Sequence, residues 1–154
     1  MTTIKKELAV AALENGTVID RIPSEQLFKV VTILRLDTIP NSITIGNNLN
    51  SKKIGRKGII KVADYFFRDE EINKIALIAP EATINVIRNY KVVEKYRVAL
   101  HDTLRGIIRC SNPKCITNNE PMKTRFRSVA QGHNILRCSY CNKDVELKDV
   151  RIVE

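Results

Sequence analysis

All four cysteines of the chain lie in its last third, as Cys110-x4-Cys115 and Cys138-x2-Cys141, two close pairs with 22 residues between them. Four thiolates about 2.3 Å from one centre make a closed tetrahedral zinc site. A short loop between paired cysteines delivers two sulfurs from one turn, and two such turns on adjacent hairpins complete the set. With every ligand a sulfur, no position stays open for a substrate. The expected ion is therefore structural, one Zn²⁺ per chain, and its binding energy is folding energy. Two disulfides are the alternative, and a reducing compartment argues against them. Arg109 and Arg137 each precede a pair, where their charge would favour thiolate. His101 and His133 have no motif partner and read as surface or turn residues.

A second cluster is cationic. Lys52, Lys53, Arg56, Lys57 and Lys61 crowd ten positions, with Gly55 and Gly58 between them. Glycine lets a backbone approach an anion, and lysine and arginine supply charge, so the segment fits a phosphate site. It fits a solvated hairpin turn equally well. It is not a P-loop, because GxxxxGK[ST] is absent. Asp20, in the apolar stretch "TVID", could hold a hydroxylated ligand or simply face water at a strand end. Asp69-Glu70-Glu71 is explained by the start of a helix. No nucleophile–base pair and no HExxH can be read, so the sequence offers no active site.

Bulk properties narrow the class. The chain has 154 residues, 44% hydrophobic and 28% charged, the composition of a globular protein. It lacks the apolar start of an export signal and any run long enough for a membrane span, so a cytoplasmic protein without membrane partners is expected. Net charge is +9, of which +5 falls in residues 1–100 and +4 in residues 101–154. Such an excess suits polyanions without choosing among nucleic acid, acidic protein and nucleotide phosphates.

These groups need positioning elements. Residues 8–13 and 17–22 read as extended segments around Asn15-Gly16, as a hairpin or as one bulged strand. Pro23-Ser24 then stops the strand, with Ser24 capping a helix over about 24–36 whose face is Leu27, Phe28, Val31 and Leu34. Ile43 and Ile45 mark a short strand, and the basic turn leads into a strand at 59–62. Asp69 caps a second helix with Ile72, Ile75, Ala76 and Ala79 buried. "TINVIR" and "KVVEKY" are strands joined at Asn89-Tyr90. The order is that of a ferredoxin-like βαββαβ sandwich with both helices on one face and an extra hairpin strand. Periodicity fades around Val98 to Thr103. Beyond it stand short apolar alternations with no helix, an all-β unit too small to be stable without a staple. The fold class is thus α+β, with domains over 1–100 and 101–154, the second a zinc ribbon of rubredoxin-like type.

Six segments in this order, "NGTVIDRIP", "ITIG", "SKKIGRKGIIKV", "LIAPEATINVIRNYKVVEK", "CSNPKCITNNEP" and "RCSYCNK", resemble one family over about residues 8 to 145: the regulatory chain of aspartate carbamoyltransferase. The resemblance implies a non-catalytic subunit of an enzyme of de novo pyrimidine biosynthesis. Its first domain would bind nucleoside triphosphates, ATP activating, CTP inhibiting and UTP assisting in some members. Its zinc domain would dock on the catalytic chain. Regulatory chains would form homodimers, three of them bridging two catalytic trimers in a heterododecamer. Carried over residue by residue, the nucleotide pocket falls on Ala12, Leu13, Val18, Asp20, Lys61, Asn85, Ile87, Tyr90, Val92 and Lys95. Asp20 would hold the ribose, and Lys95 with the basic strand would neutralise the triphosphate. Leu13, Ile87 and Tyr90 would hold the base. Ser51 and Lys57 match further phosphate or second-nucleotide positions. The zinc ligands fall on Cys110, Cys115, Cys138 and Cys141, and Asn112 and Tyr140 on positions facing the catalytic chain.

Three positions depart from the family pattern. Arg21 stands where relatives often have histidine beside the phosphates, which makes that charge independent of pH. Asn50 replaces a proline of the basic loop, and Lys114 a small polar residue between the first two cysteines. The competing function is a zinc ribbon that binds RNA or DNA through the same charge. Aromatic residues are only 5% of the chain and form no stacking platform, which counts against it.

Overall fold

The computed structural model describes residues 12–52, 54–129 and 134–153. The chain divides into two compact units, Met1–Ala99 and Leu100–Glu154.

In the first unit, β1 (Gly16–Pro23), a 3-10 turn (Ser24–Gln26) and α1 (Leu27–Ile33) are followed by β2 (Ile43–Ser51), β3 (Gly55–Ala63), α2 (Asp69–Ile78), β4 (Thr83–Arg88) and β5 (Lys91–Arg97). One antiparallel sheet takes them in the order β2-β3-β1-β4-β5, so β1 lies between β3 and β4. Alternation divides the sheet. On β3, Gly58, Ile60 and Val62 are buried while Ile59, Lys61 and Ala63 are half-exposed. Ile60 pairs with Ile19, and Ile19 with Ile84, making a buried apolar row under the helices. Each such side chain contributes at most about 1.5–3 kcal/mol. The helices pack on each other over this face. The β4–β5 turn places Asn89 and Tyr90 at φ 50 and 65, the paired left-handed geometry of a tight hairpin.

Several expected elements fall differently. Ala12 and Leu13 belong to no strand, residues 8–11 lie outside the described residues, and Gly16 of the Asn15-Gly16 pair is the first residue of β1. Asn15 instead ties the sheet together: its Oδ1 accepts from the Asn89 N–H and its carbonyl from the Asp64 N–H. The first helix is shorter than 24–36, because Arg35 turns left-handed at φ 53. Its buried face is Leu27, Val30 and Leu34, and Phe28 is 64% exposed. A residue one step from Leu27 stands about 100° around the helix, whereas Val30 returns to its face. Ser24 makes no cap, and its hydroxyl is buried without a partner. In α2 the N-cap position is Arg68, not Asp69, while Ile72, Ile75, Ala76 and Ala79 are buried as expected. The strands of the β2–β3 hairpin run through the basic segment, so β2 extends nine residues to Ser51. Lys53 lies outside the described residues.

Among the described residues the second unit contains only short strands and 3-10 turns. Strands β6 (Thr103–Arg105), β8 (Arg125–Ser128), β9 (Ile135–Cys138) and β10 (Asp144–Glu146) form a sheet in the order β10-β9-β8-β6. A second ladder pairs β7 (Ile108–Arg109) with β11 (Arg151–Ile152). Leu104, Phe126 and Leu136 supply the core, with Ile107 and Ile108. His101 is exposed, as expected, and His133 lies outside the described residues. No helix among the described residues is long and apolar enough to cross a membrane.

One polar network joins sheet to helix. Thr17 Oγ1 donates to the Tyr65 carbonyl at 2.6 Å, and the Tyr65 hydroxyl donates to Glu71 Oε2 at 2.8 Å. The other oxygen of this buried carboxylate accepts the Arg68 N–H at 3.0 Å. Burial, aided by the Glu71 carboxylate, raises the Tyr65 phenol above its ordinary value of 10.0. A raised phenol means the contribution is complete at neutral pH and is lost as pH climbs through the raised value. Tyr65→Phe should cost about 1–2 kcal/mol in urea unfolding at pH 7, and should flatten the loss of stability above pH 10 seen in the parent.

Candidate functional site

The four sulfurs converge. Cys110 follows β7 and Cys138 ends β9, and the loops after them carry Cys115 and Cys141. All four Sγ atoms lie within 4.8 Å of one another, with Cys110–Cys141 at 3.6 Å and Cys115–Cys138 at 3.8 Å. A disulfide requires about 2.05 Å. A tetrahedron with bonds of about 2.3 Å has edges near 3.8 Å, so the spacing suits a bound ion. An all-sulfur tetrahedral set accepts zinc or iron.

Each sulfur meets a donor two residues downstream. The Asn112, Tyr140 and Lys143 N–H groups serve Cys110, Cys138 and Cys141, and the Thr117 hydroxyl lies 3.1 Å from Cys115. Asparagines brace the first loop: Asn118 Nδ2 donates to the Cys110 and Asn112 carbonyls, and Asn119 Nδ2 to that of Cys115. The sequence reading missed Thr117, Asn118 and Asn119, although "TNN" directly after the second cysteine signals side chains that bond loop backbone. It also misassigned Arg137, whose guanidinium holds Asp144 at 2.6 and 3.0 Å instead of neutralising thiolate. Burial pushes the Cys110 thiol up to about 12 and raises Cys138 too. Burial acts on Cys141 as well, but donation from the Lys143 N–H and the Asn112 side chain holds it at about 7. An ion must displace these protons, so its affinity rises with pH.

In the first unit a cleft of about 260 Å³ opens between the chain before β1 and the edge of the sheet. Of the expected nucleotide residues, Ala12, Leu13, Lys61 and Tyr90 line it. Asn15, Ser42, Thr44 and Asp64 line it too and were not anticipated, since in sequence they read only as turn and polar strand positions. Cross-strand register adds a second grouping: Thr44, Lys61, Val18, Asn85 and Lys95 are successive partners across all five strands. Partners in register share a face, so these side chains form one row opposite the helices. Ile87 and Val92 form the adjoining pair on β4 and β5. Burial lowers the pKa of the Lys61 ammonium in this row.

The remaining expected residues do not line the cleft. Asp20 is engaged within the protein, 2.8 Å from Lys57 Nζ and 2.7 Å from the Arg21 N–H. Arg21 sits at φ 58 in a bulge between Ile19 and Ile22. Ser51 ends β2, where its hydroxyl accepts the Ile54 N–H. Gly58 has a packing role: a Cβ there would lie 2.7 Å from Leu27 Cδ1, so the glycine admits α1 rather than an anion. Asn112 is half-buried and Tyr140 47% exposed beside the sulfurs.

Comparison with known proteins covers both units. A family model described as aspartate carbamoyltransferase regulatory chain, allosteric domain, matches residues 8–99. Another, described as the metal binding domain of the same chain, matches residues 102–151. Similar curated proteins carry the name aspartate carbamoyltransferase regulatory chain. One from Phocaeicola vulgatus is 54% identical over 153 residues, 99% of each chain. One from Parabacteroides distasonis is 55% identical over 148 residues, 96% of each. One from Pyrococcus abyssi is 47% identical over 146 residues, 94% of this chain and 96% of the relative.

Removing one sulfur should open the cluster. Cys138→Ser is expected to lower bound metal from one ion per chain to near none and to erase amide protection in the second unit, read by elemental analysis and hydrogen exchange. The parent's metal affinity should increase between about pH 6 and 8, because uptake releases thiol protons.

Proposed function

Because the chain belongs to the family of aspartate carbamoyltransferase regulatory chains, non-catalytic subunits of that enzyme, we propose that its first unit binds nucleoside triphosphates and passes their effect to catalytic chains. The observation that carries this reading is the cross-strand row Lys61–Val18–Asn85–Lys95 beside the cleft lined by Ala12, Leu13 and Tyr90. Two ammonium groups flank an apolar and an amide side chain, a composition suited to a triphosphate with a ribose and base. Ile87 and Val92 extend the apolar surface for the base. The Asp20–Lys57 pair stands ready to exchange partners, Asp20 to a ribose hydroxyl and Lys57 to phosphate, with Arg21 next to Asp20 in the β1 bulge and Ser51 at the end of β2 as further phosphate contacts.

ATP and CTP share ribose and triphosphate, so opposite effects must come from how base size is met around Leu13, Ile87 and Tyr90. Each effector acts by its differential affinity for two states of the assembly, a coupling of about 1–3 kcal/mol. The ion of the second unit is read as zinc, the usual occupant of closed four-cysteine structural sites, and the sulfur separations suit its tetrahedron. It shapes the Asn112 and Tyr140 loops for the catalytic chain. The assembly follows the family's plan of regulatory homodimers bridging catalytic trimers, in the reducing cytoplasm where four free thiols persist.

Calorimetry with ATP, CTP and UTP tests the reading. The parent should saturate at one or two nucleotides per chain, and Lys61→Ala or Lys95→Ala should each weaken ATP and CTP roughly 10- to 100-fold, the value of a charge-assisted hydrogen bond. Zinc content should not change. A parent chain indifferent to all three nucleotides would refute it.

A further inference from the structure

The sheet of the second unit has an outer face that the metal does not use. Leu104, Phe126, Leu136 and Cys138 point into the core, so their sequence neighbours point out. Register then brings arginines together: Arg105 is directly opposite Arg125, and Arg127 directly opposite Arg137. With strands about 4.8 Å apart and alternate residues about 6.8 Å apart, the four Cα positions form a staggered band across β6, β8 and β9, about 10 Å wide. Like charges directly opposite each other destabilise a sheet. Among the described residues the one ion pair across this face joins Arg137 to Asp144, its partner on β10. Arg105, Arg125 and Arg127 are exposed, and no described residue forms an ion pair with them.

We infer that this face is a docking surface for a carboxylate-rich protein surface, and that its occupant is the catalytic chain. The inference rests on the reading that the second unit docks on the catalytic chain. Arginine, less strongly hydrated than lysine and able to hold carboxylate through two parallel bonds, is the basic residue enriched at protein interfaces. The next row on the same face is apolar, Val129 against Ile135, with Val129 38% exposed. The four strands present no aromatic side chain on this face, so a nucleic acid would find charge without a stacking platform. At the other end the Ser139 N–H bonds the Arg125 carbonyl, which makes the face continuous with the turn that carries Tyr140.

The test uses the full-length, metal-loaded chain and purified catalytic chain. Arginine modification by phenylglyoxal, mapped by mass spectrometry, should show Arg105, Arg125 and Arg127 at least about fivefold less reactive in the assembly than in the free chain. The double variant Arg125→Ala with Arg127→Ala should bind the catalytic chain at least about tenfold more weakly and with a shallower salt dependence. Its zinc content and CTP affinity should equal the parent's. Unchanged reactivity on assembly, or unchanged affinity in the variant, overturns the inference while leaving the docking reading intact. A parent chain that does not assemble overturns both. Protection of the same arginines by an oligonucleotide of about 20 bases, and not by catalytic chain, overturns it in favour of nucleic acid.

Discussion

Four cysteine sulfurs within 4.8 Å of one another constrain everything else in the second unit. Its strands are two to four residues long and its core is a handful of aliphatic side chains around Phe126. A unit of this size buries too little apolar surface to offset its chain entropy. Bringing four ionised thiolates together without a cation would add repulsion. Binding an ion reverses that sign and turns the densest cluster in the unit into its anchor. The loop geometry follows, with a donor two residues past each sulfur and asparagine amides holding the carbonyls between.

The first unit needs no such device, because its sheet is wide enough to carry helices on one face. Period-two alternation then assigns the other face. The same strands that send Ile19, Ile60 and Ile84 under the helices send half-exposed Lys61 and Asn85 to the opposite face, with Val18 buried between them in register. The makeup of this row is thus a by-product of core packing: a one-residue slip would exchange the two faces entirely. The bulge at Asp20–Arg21 is the local exception, redirecting a carboxylate toward Lys57.

Electrostatics are handled differently in the two units. In the first, Asp20 lies against Lys57 and Glu71 against Arg68. In the second, the arginines of β6 and β8 stand beside one another, and Asp144 on the same face is held by Arg137. Exposed ion pairs add little to stability, so the arrangement is tolerable in water. Its consequence is a concentrated positive field on a flat surface, which favours association with an acidic partner.

Much of this protein was legible residue by residue. The tetrathiolate set needed only spacing and the preference of soft sulfur for a closed metal shell. The strand, helix, strand, strand, helix, strand order came from hydrophobic period, and the Asn89-Tyr90 hairpin from turn chemistry. The buried stripe of α2 was equally plain. Tertiary structure decided the rest. Phe28 faces solvent because Val30 shares the side of the helix that Gly58 admits to the sheet, and no local pattern states which strand a helix will meet. Asp20 is tied to Lys57 across 37 positions, and the arginine pairs arise only when β6, β8 and β9 align. Local propensity and ligand spacing are properties of neighbours along the chain. Which charges meet is set by register between distant strands, and register is chosen by the core as a whole.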